Sequence, residues 1–171
     1  DKQGWENLGY KTDYSERNYL KLSRYPIKRF DDIQAANSLD IINDSTIGRV
    51  KKIIHEIKDE YPDVMPGDIA FIYVDDSKDI YTYMDELSNA INKEFGYLVK
   101  RGYETKSATD DSVYITNANN VKGLEFPFVI CITKKIKWQY RYRNSLYTML
   151  TRSFIKSYLL VTSDEGLDVF R

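Results

Sequence analysis

The sequence predicts an α/β domain in which a mostly parallel β-sheet is covered by helices on both faces. Apolar runs of strand length alternate with segments of helical spacing that are roughly 12–18 residues long, a pattern typical of crossover units. The 171 residues, 42% of them apolar and 30% charged, suffice for one soluble globular domain with a sizeable core. We expect residues 1–18 to be an irregular lead-in and residues 19–171 to form the domain.

The first part of the chain predicts one strand and two helices. Residues 19–23 alternate apolar and polar side chains, which predicts a short strand. Apolar residues recur at helical spacing over 30–42 and again over 47–57, where Ile and Val form one stripe opposite Lys and Glu. A proline and a glycine at 62–67 then break the second helix.

The remaining chain continues the alternation. Residues 68–74 (DIAFIYV) predict a buried strand, and a helix follows over roughly 78–95 until Gly96 ends it. The other predicted elements are strands at 97–99, 113–116, 128–133 and 158–162, a polar turn at 106–111 and a helix at 144–155.

Composition limits the classes of function. A net charge of -1 predicts no strong basic field, so any nucleic-acid contact must come from a local patch. Cys131 is the only cysteine and lies in an apolar run, which indicates a buried thiol, a reducing compartment and a cytoplasmic location. With His55 as the only histidine, no His/Cys metal cluster can form, and we predict no metal site. No apolar run approaches the ~18 residues of a membrane span.

The most informative segment is KGLEF at 122–126, which runs directly into an apolar strand. Gly123 lets the backbone approach a phosphate closely, and Lys122 can pair with a phosphate or a neighbouring acid. Glu125 can accept hydrogen bonds from ribose hydroxyls. The alternative is a plain glycine-containing turn between two strands.

Three asparagines precede this segment. Asn117, Asn119 and Asn120 can donate to and accept from a sugar-phosphate backbone or a base edge. Since parallel sheets place working groups at the carboxyl ends of strands, we expect the whole loop 117–125 at that edge.

A second segment, 147–153, contains Tyr147, Thr151, Arg152 and Ser153. The two segments together resemble motifs V and VI of the UvrD-like superfamily 1 helicases. Motif V there reads roughly T-x-H-x-x-K-G-L-E-F, and this chain has Asn117 and Asn119 at the Thr and His positions. The motif VI core, Y-x-x-x-T-R-A/S, is matched at 147–153.

The resemblance implies a three-layer RecA-like domain of the P-loop NTPase type, the second motor domain of an ATP-dependent DNA helicase. Arg152 would reach the γ-phosphate across an interdomain cleft, because a guanidinium stabilises the charge that phosphoryl transfer spreads over oxygens. The resemblance also assigns two sets of binding residues. Nucleotide binding is implied for Gly123, Glu125, Lys122 and Tyr147, and nucleic-acid binding for Asn117, Asn119, Asn120 and Thr151.

Two weaker matches lie nearer the start of the chain. Residues 68–73 resemble the strand that begins the main body of the second motor domain. Residues 22–25, followed by 33–37, are similar to the motif IV region, although their spacing is longer. This match makes Arg24 a candidate for a second phosphate-reaching arginine, with Arg29 as the other choice.

The sequence contains no phosphate-binding loop and no Walker B acidic pair. The family carries both on its N-terminal RecA-like domain, so we expect that domain to precede Asp1 and to bind ATP with the Mg2+ ligands. The partners implied are that domain and single-stranded DNA, with RNA not excluded and no membrane. Only about a dozen residues at 103–113 separate the flanking strands, so the large accessory insert of the family is absent.

Two alternatives differ in class. Residues 71–77 (FIYVDDS) look like the first strand of a phosphoacceptor receiver domain with paired acids. A RecA-like domain that has lost catalysis and only binds partners is the other. The helicase hypothesis differs from both because it requires Gly123, Glu125 and Arg152 on one surface. A basic and aromatic segment at 134–143 suits either single-stranded nucleic acid or ordinary packing.

Overall fold

The computed structural model describes residues 10–14, 20–24, 38–75, 79–102, 111–121 and 123–163. The chain divides into two compact units, residues 1–36 and 37–171. In the first unit, strands β1 (Tyr10–Tyr14) and β2 (Leu20–Arg24) form an antiparallel pair. The strand predicted at 19–23 is therefore confirmed, whereas β1 lies within the segment that was expected to be irregular.

The second unit contains a six-stranded sheet and three α-helices within its described part. Its strands are β3 (Leu39–Ile42), β4 (Ile69–Tyr73), β5 (Leu98–Arg101), β6 (Ser112–Asn117), β7 (Phe126–Thr133) and β8 (Ser153–Val161). Its helices are α1 (Ile47–Glu60), α2 (Asp79–Phe95) and α3 (Tyr140–Leu150). A 3₁₀ turn at Pro66–Asp68 leads into β4.

The strand order is β3-β8-β7-β4-β6-β5, and every neighbouring pair is parallel. Strand β4 pairs with β6 on one side and β7 on the other, while β5 lies at the edge. A receiver domain has the flavodoxin-like strand order 2-1-3-4-5, in which the first strand pairs with the second. The strand that would be first here is β4, which pairs with β6 and β7 and not with the next strand, β5. The receiver-like alternative is therefore wrong.

Helices cover both faces of this sheet. One apolar cluster joins α1 and α2 to one face through side chains such as Ile54, Leu87 and Ile130, all fully buried. A second cluster joins α3 to the other face through Leu146, Met149 and their neighbours. The sheet thus forms the middle of three layers, as predicted.

The first two helices follow local sequence signals. Thr46 accepts a hydrogen bond from the Arg49 amide at 3.2 Å and so caps α1, whose buried residues are the predicted apolar stripe. Gly96 ends α2 with a φ of 69°, a conformation that costs glycine little. Within the described ranges, no helix combines the length and apolar character that a membrane span requires.

Two predicted helices are partly wrong. The helix predicted over 30–42 overlaps β3, and its residues before 38 lie outside the described ranges. The helix predicted over 144–155 is α3, which begins at Tyr140 and ends at Leu150. Residues from 153 onward instead belong to β8, because they find a hydrogen-bonding partner in β7.

We predict that Ile130→Ala lowers the free energy of unfolding by about 2–5 kcal/mol, because it leaves a cavity at a fully buried position of β7. Chemical denaturation followed by circular dichroism measures the change. Ile155→Ala is the matched control, since Ile155 is exposed and should cost well under half as much. Equal losses would contradict the assignment of β7 to the core.

Candidate functional site

The two sequence segments that carry the functional signal meet at the amino ends of β7 and β8. The Phe126 amide donates a hydrogen bond to the Arg152 carbonyl at 2.9 Å, and Phe126 lies opposite Ser153 in the ladder. Since the two strands are parallel, the residues that precede them come to the same edge of the sheet. Gly123, Glu125 and Arg152 are therefore brought to one surface, which we call the amino edge.

The β7–β8 ladder has an irregularity at this edge. Phe126 pairs with Ser153, but Phe128 pairs with Lys156, so β8 carries one additional residue beside Pro127. Proline has no amide hydrogen to give to the ladder, and such bulges occur at strand ends and beside sites. Both residues of the bulged step, Phe154 and Ile155, are exposed.

Arg152 follows the end of α3 and is positioned by hydrogen bonds to the last turn of that helix. Its Nε donates to the Thr148 carbonyl at 3.1 Å, and its amide donates to the Met149 carbonyl at 3.1 Å. The side chain is half-buried, and no carboxylate of the described residues forms an ion pair with it. Within the described part of the chain, the Nε hydrogen bond is the only one that the guanidinium forms. A planar guanidinium can bind an anion through two hydrogen bonds.

The residues around Arg152 fix the end of α3. The Thr151 hydroxyl lies 3.0 Å from the Tyr147 carbonyl and 3.1 Å from the Thr148 carbonyl, so its proton is used inside the helix terminus. The Ser157 hydroxyl donates to the Leu150 carbonyl at 2.6 Å and tethers the helix end to β8. Thr148 and Ser157 were not predicted as site residues. Thr148 acts through its own backbone carbonyl, and Ser157 acts through a hydrogen bond to the Leu150 carbonyl. Contacts with backbone carbonyls carry no sequence signature.

Gly123 and Glu125 are exposed in the segment that leads into β7. Gly123 has a φ of 82° and no heavy atom within 4 Å of the position that a Cβ would occupy. The glycine thus serves the left-handed turn, and its surface is open to a ligand. Glu125 is exposed, and the predicted Lys122 lies outside the described residues.

The three asparagines lie at the opposite, carboxyl edge of the sheet. Asn117 ends β6 opposite Tyr73, and its side-chain oxygen accepts from the Asn119 amide at 3.0 Å. The Asn120 amide donates to the Asn117 carbonyl at 3.2 Å and closes the turn. Asn119 is exposed, whereas Asn117 and Asn120 are half-buried.

The expectation that the whole loop 117–125 lies at the carboxyl edge is therefore wrong for Gly123 and Glu125. Along β7, Ile132 is level with Asn117 through their common partner Tyr73, and Phe126 lies six residues earlier. At 3.3 Å per residue the two edges are about 20 Å apart. The loop crosses between them and buries Val121 against the face that α3 covers, with Leu124 half-buried there.

The other predicted residues are placed as follows. Thr151 lies at the amino edge, so the structure does not bring it together with the asparagines. Tyr147 lies on the exposed side of α3, one turn before Thr151. Arg24 ends β2 in the first unit, where only its backbone is described, and Arg29 lies outside the described residues.

Asp75, one of the paired acids in the receiver-like string FIYVDDS, has a structural role in this fold. Its buried carboxylate accepts hydrogen bonds from the Thr133 hydroxyl at 3.0 Å, the Lys134 amide at 2.7 Å and the Lys137 ammonium at 2.8 Å. Burial acts to raise the pKa of Asp75, but these hydrogen bonds outweigh it and hold the pKa below its ordinary value. The residue ties the end of β4 to the segment that leads into α3. No group of three metal-ligating side chains occurs in the described part of the chain.

One family model matches part of this chain. Residues 112–160, which include the asparagines, Gly123, Glu125 and Arg152, match the family model of the UvrD-like helicase C-terminal domain. The predicted resemblance to the UvrD-like helicases is confirmed. The UvrD-like segment runs from β6 through β8 and so contains both edges of the candidate site.

A solved structure shares the fold. The C-terminal domain of a possible DNA helicase from Lactobacillus plantarum WCFS1 superposes with a TM-score of 0.54 at 19% identity, covering 79% of this chain and 77% of that one. Domain 2 of the DEAD-box helicase Mss116p, bound to an RNA duplex, gives a TM-score of 0.47 at 12% identity, covering 74% of this chain and 54% of that one. No curated protein matches in sequence. The three-layer RecA-like fold with a mostly parallel sheet is confirmed.

We predict that Asp75→Asn lowers the free energy of unfolding by about 2 kcal/mol at pH 7, because a charged acceptor of three hydrogen bonds is lost. Since folding lowers the pKa of Asp75, its contribution is present above about pH 4 and disappears as the pH falls through the folded pKa. Urea denaturation of both proteins from pH 7 down to pH 3 measures this difference.

The exposed Asp63→Asn serves as the control for this experiment and should change stability little at any pH. A difference between Asp75→Asn and the parent chain that stayed constant across the pH range would refute the charged role of Asp75.

Proposed function

We propose that this chain is the C-terminal motor domain of an ATP-dependent superfamily 1 DNA helicase or translocase, with the domain spanning residues 19–171. The observation that carries the proposal is the hydrogen bond from the Phe126 amide to the Arg152 carbonyl. It joins the two motif segments at the backbone. This supports a site in which an anion would contact the Arg152 guanidinium and the open backbone of Gly123 together.

The nucleotide would be ATP with Mg2+, held mainly by the N-terminal RecA-like domain of the same protein, which would also supply the Mg2+ ligands. ATP supplies the phosphoryl group when bound. Arg152 would donate hydrogen bonds to its terminal phosphate oxygens, and Glu125 would accept from its ribose. The open turn at Gly123 fits close approach of such a group. Lys122, Tyr147 and Arg24 remain candidates for further nucleotide contacts.

Nucleic acid would be held at the other edge of the sheet. The amide groups of Asn117, Asn119 and Asn120 can bond to phosphates, sugars or base edges of single-stranded DNA, with RNA as an alternative. Separation of the two edges by about 20 Å suits a motor, because one rigid sheet would then connect the nucleotide to the strand. Thr151 remains a candidate only through contacts at the amino edge. A cytoplasmic location remains a prediction.

The second candidate function is a RecA-like binding module without catalysis. It is favoured by Asn117 and Asn119, which stand where the family motif has Thr and His. In that case the amino edge would still form, but Arg152 would have no role in turnover.

We predict that Arg152→Ala in the two-domain protein lowers kcat for ATP by about 1,000-fold while nucleotide affinity changes little, because the lost guanidinium acts on charge in the transition state. Arg152→Lys, which keeps the charge without the fork, should recover only part of the rate. Steady-state turnover and nucleotide binding are measured side by side, and the 171-residue chain alone should show no turnover. An unchanged kcat in Arg152→Ala would favour the binding module.

We predict that Gly123→Ala and Gly96→Ala each destabilise the fold by about 1 kcal/mol, because both glycines have positive φ and neither has a neighbour that a methyl group would strike. Only Gly123→Ala should also raise the KM for ATP in the two-domain protein, since its methyl group would stand where the phosphate approaches. Thermal unfolding and steady-state kinetics test the pair. Equal effects on KM would exclude a nucleotide contact at Gly123.

A further inference from the structure

A groove runs between α3 and the segment that enters it. Four of the side chains that the helix contributes lie at positions i, i+3, i+4 and i+7 and share one face: Tyr140, Arg143, Asn144 and Tyr147. Tyr142 and Met149 are buried away from this face, whereas Leu146 is buried at its border and also lines the groove. The groove has a volume of about 450 Å³ and a largely apolar floor that includes Ile136 and Leu146.

Three aromatic rings border this groove and are open to solvent. Trp138 is 66% exposed, Tyr140 79% and Tyr147 70%, although each offers a large apolar surface that folding could have buried. Tyr142, one of the other rings of this segment, is by contrast buried with its hydroxyl 2.6 Å from that of Thr133. The segment therefore separates its rings into those that pack and those that face outward.

The chain segment that forms the groove contains charged residues of one sign only. Residues 126–163 contain seven Lys and Arg and no Asp or Glu, in a chain whose net charge is -1. Several of these lysines pair with acids from elsewhere in the chain, among them Lys134 with Asp79 and Lys137 with Asp75. Arg141 and Arg143 are exposed and form no ion pair with the described residues.

We propose that this groove binds single-stranded nucleic acid, with bases stacked on Trp138, Tyr140 and Tyr147 and phosphates held by Arg143. Outward-facing rings that alternate with cations are the arrangement that binds a single strand without reading its sequence. The inference deepens the proposed function and rests on it for the choice of a nucleic-acid ligand. It also gives Tyr147 a different role from the nucleotide contact that the motif implied.

One end of the groove, formed by the segment that enters α3, lies on the same side of the domain as the asparagine turn. Ala118 and Ile136 belong to one apolar arrangement on the face that α3 covers, and the segment 134–139 follows the carboxyl end of β7. Asn117 and Ile132 flank Tyr73 on neighbouring strands, which places the two strand ends about 10 Å apart. One strand of nucleic acid could therefore contact the asparagines and then enter the groove.

A protein ligand is the competing occupant, because Trp, Tyr and Arg are also common in protein interfaces. The absence of any acid in residues 126–163 favours the polyanion, since a protein surface would not require charge of a single sign. Failure to bind oligonucleotides in the titration below would instead favour a neutral or acidic protein partner.

Trp138 provides a direct reporter, because Trp5 is the only other tryptophan. In the Trp5→Phe chain, titration with oligo(dT) and separately with oligo(rU) at low salt should quench the Trp138 emission as bases stack on the ring. Fluorescence anisotropy of labelled oligo(dT) gives the dissociation constant in parallel.

Tyr140→Ala and Tyr147→Ala should each weaken binding by about fivefold, as expected for one stacking contact. Arg143→Ala should weaken it and reduce the slope of log affinity against log salt by about 0.7, the value for one phosphate on a single strand. Tyr81→Ala and Lys52→Ala are the matched controls, since both residues are exposed on the helices of the opposite face. Both should bind as the parent chain does.

Quenching together with loss of affinity in the groove variants supports the proposal. Binding that depends on Asn117 and Asn120 but leaves Trp138 emission and the groove variants unchanged would overturn it while sparing the proposed function. Absence of binding to either oligonucleotide would also overturn it and would favour a protein ligand. Loss of ATP turnover in Arg152→Ala does not involve the groove, so failure of the two proposals can be distinguished.

Discussion

Parallel pairing of β7 with β8 is the constraint on which the candidate site depends. The two strands share the longest ladder of the sheet, and the pairing begins at Phe126 and Ser153, directly after the residues of interest. The helix α3 connects the carboxyl end of β7 to the amino end of β8, so it must cross the full height of the sheet. The crossing places Trp138 before the helix, near the carboxyl end of β7, and Arg152 after it, at the amino end of β8.

Local signals in the sequence predicted much of the fold. The Ile and Val stripe of α1, the apolar run of β4 and the glycine after α2 each determine structure within their own segment. The edge strand β3 was missed because four residues pair only with the distant β8. The end of α3 was missed because Phe154 and Ile155 continue an apolar helical spacing, although the ladder with β7 and the bulge beside Pro127 take them out of the helix.

The residues of the candidate site come from the sequence and stay predictions, whereas their layout comes from the fold. The order of Gly123, Glu125 and Arg152 in the chain indicated a shared surface, and the sheet places them at one edge. The asparagines lie at the other edge because they follow the end of β6, and β6 and β7 both run parallel to β4. The loop must therefore cross the sheet before β7 begins, and Val121 is buried on the sheet face along that path. The order of the strands, which sets this crossing, depends on pairing between distant segments. The positioning of Arg152 by the Thr148 carbonyl is likewise a property of the folded helix end.

The run without acids at 126–163 has a consequence for how the molecule meets a polyanion. Since this run carries seven positive charges and the whole chain is -1, the rest of the chain carries a net charge of -8. At separations well beyond a Debye length of about 10 Å, a nucleic acid therefore experiences little net attraction. Close to the surface, attraction depends on which part of the chain is presented. If the chain binds nucleic acid as proposed, orientation would be selected during the encounter itself, before any hydrogen bond or stacking contact forms.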